Sequence, residues 1–167
     1  YLVVHAAVIE KSGKAVMFPA PPGSGKSTLC AGLVHRGWRL LSDELALCDM
    51  DSGLVFGMAR PINLKNRSID VIRKFAPDAI LTAPVPDTAK GTVALVRPPS
   101  NSVLRAGEPV RPNWIVLPKF SSGAAASLER ATKADTFMLV AEQSFNYDIH
   151  GVQGFKAWMR DMFIPKI

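Results

Sequence analysis

The stretch Phe18-Pro19-Ala20-Pro21-Pro22-Gly23-Ser24-Gly25-Lys26-Ser27-Thr28 constrains this chain more tightly than any other. Glycines let backbone N–H groups close in on a polyphosphate, a lysine reaches the outer phosphates, and a hydroxyl holds Mg²⁺. Gly23, Gly25, Lys26 and Ser27 supply these parts at the spacing such a loop requires. Ala20 stands where the strict pattern has glycine, so the match is to the relaxed form of the motif. The backbone from Ala20 to Thr28, including Pro22 and Ser24, is the expected nucleotide cradle.

Such a loop works only between a strand and a helix, and both are legible. Ala15-Val16-Met17-Phe18 is a short apolar run of strand type. From Ser27 onward, Leu29, Leu33 and Val34 recur at helical spacing before a stop at Gly37. Upstream, Tyr1 to Ile9 is nearly continuous apolar sequence, and Glu10-Lys11-Ser12-Gly13-Lys14 is a polar turn, so a hairpin leads into the loop. His5 is the one polar side chain of that first strand; it is either a satisfied core residue or a strand-end group facing the phosphates.

After the helix, Trp38-Arg39-Leu40-Leu41-Ser42 reads as a strand that ends in the acids Asp43 and Glu44. In open α/β sheets ligands bind at the carboxyl ends of strands. Asp43 could therefore bind Mg²⁺, take a proton from an attacking hydroxyl, or do both; the alternative is a pair of solvated acids. Leu45 to Cys48 and Leu54 to Gly57 form a second hairpin around a turn at Asp49 to Gly53. Residues 60–67 read as a polar loop in which Arg60 and Lys65 are candidate charge stabilisers, or simply solvated cations.

Ser68 to Phe75 reads as a short helix, and the prolines Pro77, Pro84 and Pro86 make residues 76–90 an irregular, lid-like excursion. Further strands are expected over Thr92 to Val96 and Asn113 to Pro118, and residues 100–111 read as polar and irregular. Residues 131–144 have helical spacing, and Phe155, Trp158, Met159, Met162 and Phe163 form a C-terminal docking face.

The 167 residues, 48% of them hydrophobic, suit a single domain spanning 1–167, and the start at Tyr1 suggests a piece of a longer protein. A net charge of +6 fits a phosphorylated ligand or an acidic protein surface. The cations are dispersed, which argues against nucleic acid as a partner. Cys30 and Cys48 lack metal-type spacing and fit a reducing compartment. No apolar run is long enough for a membrane span, and the expected location is cytoplasmic.

The acid pair on the strand immediately after the first helix favours small phosphotransferases over ATPases whose second acidic motif lies far down the chain. Two groups share that layout, shikimate-kinase-like small-molecule kinases and the HPr kinase/phosphorylase group. The residues resemble the second. It has a His-initiated hairpin before the loop, a helix ending in Val-x-Arg-Gly-x-Arg-Leu and a following strand with paired acids, matched here by His5 and by Val34-His35-Arg36-Gly37-Trp38-Arg39-Leu40-Leu41-Ser42-Asp43-Glu44. Arg60 to Asn66, Lys90 to Pro99 and Trp114 to Pro118 are similar to the HPr-kinase-related "kinase A" branch, which occurs beside peptide-chaperone-like partners.

The resemblance implies a nucleotide-binding core like that of phosphoenolpyruvate carboxykinase, with a mixed sheet, hairpins and flanking helices. It also implies an ATP-dependent serine kinase acting on a protein or peptide, and homo-oligomerisation, since HPr kinases are hexamers. In that scheme Asp43 is the general base, His5 stabilises or orients Asp43, Lys26 neutralises the β and γ phosphates, and Ser27 holds Mg²⁺ with Asp43 and Glu44. This chain departs from the family at Glu44, which replaces a second Asp, and at Arg60-Pro61-Ile62-Asn63, which has no metal-binding carboxylate. A small-molecule kinase and a non-catalytic nucleotide sensor remain the other readings.

Overall fold

The structure is a computed structural model and describes residues 1–152 and 154. Its centre is β1 (Leu2–Lys11), whose near-continuous apolar sequence follows from burial on both faces. Leu2, Val4, Ala6 and Val8 enter one core, while Ala7 and Ile9 enter the other. β1 turns back into β2 (Lys14–Pro19), as the hairpin pattern predicts. On its other edge β1 pairs with β3 (Arg39–Ser42) and then with β4 (Leu45–Cys48), both antiparallel. β3 and β4 are thus successive parts of one track along β1, interrupted at Asp43 and Glu44.

β5 (Val55–Phe56) completes the second hairpin beyond β4, and β9 (Pro112–Ile115) adds to β2 in parallel. The result is a six-stranded mixed sheet with the path β5-β4-β1-β2-β9 and β3 alongside β1. A separate antiparallel sheet runs β6 (Ile62–Lys65), β8 (Gly91–Val96), β7 (Val85–Thr88). The helices are α1 (Lys26–Val34), α2 (Arg67–Phe75), α3 (Ser100–Leu104) and α4 (Lys133–Glu142).

One core packs α1, through Cys30, Ala31 and Val34, between the central sheet and the small sheet, where Ile62, Leu64, Ala94 and Val96 meet Ile69 and Ile72 of α2. The opposite face of the central sheet is closed around Met17, Leu41, Ala46, Val55 and Val140 of α4. Because odd positions of β1 face α1, His5 is turned toward the glycine loop at that helix's start.

Three segments differ from the sequence expectation. Residues 60–67 contain a strand instead of a polar loop, since Ile62 and Leu64 alternate with Asn63 and Lys65 and place their apolar pair in the core. The 76–90 excursion is pinned to its neighbour: β7 pairs β8, Leu81 bridges Val96, and the Thr82 amide donates to the Leu95 carbonyl at 2.9 Å. Pro86 is tolerated within β7 because that is an edge strand, and Pro77 and Pro84 lie outside it. Residues 100–104 form α3, fixed by Ser102, whose buried hydroxyl accepts from the Leu40 amide at 2.9 Å. The aromatic and Met face from Phe155 to Phe163 lies outside the described residues. Among those described, no helix is long and apolar enough to cross a membrane.

Candidate functional site

The glycine loop leaves β2 at Pro19 and enters α1 at Lys26. Its path needs left-handed backbone at Gly23, φ 85°, and at Gly25, φ 89°, and glycine is the residue that adopts it without strain. At Gly25 a side chain would also meet the Phe120 Cβ at 3.0 Å. The turn delivers the free amides of the first turn of α1 to a broad cleft, and such a helix start attracts anions. Pro22, Gly23, Ser24, Gly25, Lys26, Ser27 and Thr28 all line this cleft, whose volume is roughly 1900 Å³. Ala20 is buried, and its carbonyl accepts from Lys26 Nζ at 3.0 Å.

Lys26 is nearly buried, at 6% exposure, and its Nζ also lies 3.0 Å from His5 Nε2. Burial lowers its ammonium to about 8, against the opposing pull of Asp43 and Glu44. His5 is lowered as well, by burial and by Lys26. The remaining polar contact of His5 runs to Gln143 Oε1, 3.3 Å from Nδ1, and its backbone amide donates to the Gln143 carbonyl at 2.7 Å. His5 therefore stands in the cleft rather than in the core, and its hydrogen-bond partners are Lys26 and Gln143 rather than Asp43.

Asp43 is 5% exposed and sits where the β3–β4 track breaks. One oxygen, Oδ2, accepts from the Asn63 amide at 3.0 Å, Oδ1 is buried, and the Ser27 hydroxyl acts on the carboxylate as a further donor. Burial raises its carboxyl above the usual aspartate value, with Glu44 adding to the rise and the Asn63 amide, the Ser27 hydroxyl and Lys26 opposing it. A raised carboxyl is a stronger base near neutrality.

The acids lie in a wall between two spaces. Glu44 lines both the cleft and a smaller pocket of roughly 200 Å³; Asp43, Arg60, Pro61, Met58 and Leu95 line the smaller one. Lys65 lines the large cleft, so the two candidate cations from residues 60–67 serve different spaces. Arg36, Arg67, Lys90, Lys119 and Arg130 bring further positive charge to the cleft, facing Glu44 and Glu129.

Of the five buried side-chain polar atoms without a partner among the described residues, Ser24 Oγ, Asp43 Oδ1 and Asn63 Oδ1 belong to this region. Buried polar atoms are normally satisfied, by protein groups, water or a ligand, so these three are groups in the region with bonding capacity left over. Ser27, Asp43 and Glu44 offer a hydroxyl and two carboxylates, oxygen donors of the kind Mg²⁺ takes, but among the described residues no three His, Cys, Asp or Glu side chains are grouped to hold a metal ion. Asn63, Gln143, Phe120 and Phe145 also border the site, and sequence reasoning assigned them no part. Gln143 and Phe145 are far from the loop in the chain; they arrive because 143–145 takes up the edge of β1 beyond β2, with Val4 bridging Ser144 and the Phe145 amide donating to the Val3 carbonyl.

A scan against models of protein families finds no match for this chain, and a search among curated proteins finds none either.

Proposed function

We propose that this protein is an ATP-dependent phosphotransferase with the P-loop core of the HPr-kinase type, and that it transfers the γ-phosphoryl group to a serine hydroxyl of a protein or peptide. The observation that carries the reading is the pairing of a glycine loop at the start of α1 with the buried Lys26 and Asp43 beside it. The loop amides and Lys26 bind the phosphates. Ser27, Asp43 and Glu44 would hold Mg²⁺, which would supply charge neutralisation on the phosphoryl oxygens.

Asp43 Oδ1 accepts the proton of the acceptor hydroxyl as that oxygen forms its bond to the γ-phosphorus. The bond from the γ-phosphorus to the β–γ bridging oxygen breaks, and ADP leaves with that oxygen. Asp43 Oδ2 stays on the Asn63 amide, which leaves Oδ1 as the oxygen that takes this proton. Arg60 and Lys65, on opposite sides of the wall, are the candidate charge stabilisers.

The 200 Å³ pocket favours a second reading, a kinase for small molecules, because it places Asp43 at the wall of a chamber smaller than a protein-docking surface. The test of the first reading is transfer of labelled γ-phosphate to serine-containing acceptors. Lys26→Ala is expected to abolish nucleotide binding, and Asp43→Asn to keep binding while losing about 10²- to 10⁴-fold in transfer rate. Full activity in Asp43→Asn would remove the general-base role.

A further inference from the structure

We propose that the floor of the broad cleft, along α1 and α2, is a docking site for an acidic peptide segment that also carries apolar side chains. The inference deepens the first reading above, in which the acceptor is a protein or peptide, and rests on it for the transfer step alone. Its first support is room. The cleft, at roughly 1900 Å³, exceeds the roughly 300–1000 Å³ of sites that take one small molecule, so it holds space beyond a nucleotide. That space runs away from the glycine loop. Leu29, Gly32, Leu33 and Arg36 line the cleft at the spacing of one helix face, and α1 is about 13 Å long at 1.5 Å per residue. A chain laid along it in extended form meets it with about four residues.

The floor is apolar and contiguous. Val71 and Phe75 of α2 line the same cleft, and Leu29, Val71 and Phe75 are 38%, 49% and 45% exposed. The Phe75 ring reaches the α1 backbone at Gly32, where a Cβ would lie 3.7 Å from it, and the Arg36 guanidinium carbon lies 4.8 Å from the ring centroid. Charge decides the occupant. Seven cations and two carboxylates line the cleft, in a chain with twenty Lys and Arg and fourteen Asp and Glu. Arg36, Arg67, Lys90, Lys119 and Arg130 are exposed there and form no ion pair among the described residues. Phosphates at the start of α1 lie a helix length from Arg36, which leaves that cation for a different anion. By sequence, the apolar segment of this chain beyond Gly154 is itself basic, with Lys156, Arg160 and Lys166 against Asp161, and matches this lining poorly. A partner bearing carboxylates matches it.

The experiment is fluorescence anisotropy of a labelled synthetic peptide in which glutamates and leucines alternate around one serine, titrated with the protein in the absence of nucleotide. In one control peptide lysine replaces glutamate, and in the other glutamine replaces leucine. The acidic leucine peptide is expected to bind about tenfold or more tightly than either control, since burying a leucine is worth this much, and to weaken as salt is raised. Val71→Glu and Arg36→Glu alter exposed side chains of the floor. Each is expected to lower the peptide's affinity about tenfold, with a melting temperature close to the parent's and nucleotide affinity unchanged.

Equal binding of the glutamine peptide, indifference to both variants, or tighter binding of an oligouridylate would overturn the proposal. So would a loss of nucleotide affinity in both variants, which would give the floor to the nucleoside. Addition of labelled ATP separates the docking site from the reading it rests on. A peptide that docks as expected but gains no label keeps the site and removes the transfer. Label on the serine of all three peptides without the tenfold preference removes the site and leaves the kinase reading standing.

Discussion

Lys26 carries its charge against the pull of its surroundings. With its ammonium lowered to about 8, it is partly neutral in mildly alkaline solution, and a polyphosphate beside it would drive it back to the charged form. Nucleotide binding near pH 8 is therefore expected to take up protons, seen as binding enthalpies that differ between buffers of different ionisation enthalpy. Lys26→Arg, which stays charged, is expected to abolish that difference. Gly25 makes a second prediction at this scale. Gly25→Ala places a side chain in left-handed backbone against Phe120 and is expected to cost about 1–2 kcal/mol, read as a lower melting temperature. The local chemistry at both positions was legible from residue type and spacing. The partners His5 and Phe120 were not, because no local pattern encodes which distant side chain closes on a loop.

Among the elements, the β1–β3 pairing is fastened by a buried ion pair, Arg39 Nε to Glu10 Oε2 at 2.7 Å. Arg39 also donates through Nη1 to the Arg105 and Glu108 carbonyls, which ties the segment after α3 to the sheet. Glu10 keeps Arg105 Nη1 at 3.5 Å and the Gly13 amide, so Arg39→Ala loses the closest contact without stranding the carboxylate and is expected to destabilise the fold by about 1.5–3 kcal/mol in denaturant titration. Burial pushes the Glu10 carboxyl up, but the Gly13 amide and Arg39 outweigh it, and the net shift is downward. A carboxyl lowered on folding contributes stability above its unfolded value and loses it as pH falls through the folded one. Acid unfolding followed by circular dichroism should thus depend less steeply on pH in Glu10→Gln.

Element types were readable wherever the period was strong, as in β1, β2, α1 and β8. They failed at β6 and β7, where four-residue strands sit among cations and prolines and only pairing with β8 gives them a role. The Asp43-Glu44 break is an intermediate case. Its acids were visible in the chain, but that β3 and β4 both lie along β1 on either side of them is a matter of strand pairing.

At the scale of the molecule, α1 and α2 join the small sheet to the central one through a single core that includes the fully buried Ile62. Ile62→Ala is expected to cost about 2–5 kcal/mol and to lower one cooperative transition rather than split it in two, as seen by calorimetry. The sequence by itself determined the α/β class, the hairpin before the glycine loop, the helix behind it and the acids on the next strand, because each depends on local periodicity and on backbone freedom at particular glycines. Tertiary structure alone decided that His5 meets Lys26, that Gln143 reaches them from the far end of the chain, and that Asp43 stands buried in a wall between two spaces. Those relations depend on which strands lie side by side, and long-range pairing leaves no mark in the short-range pattern of residues that makes it.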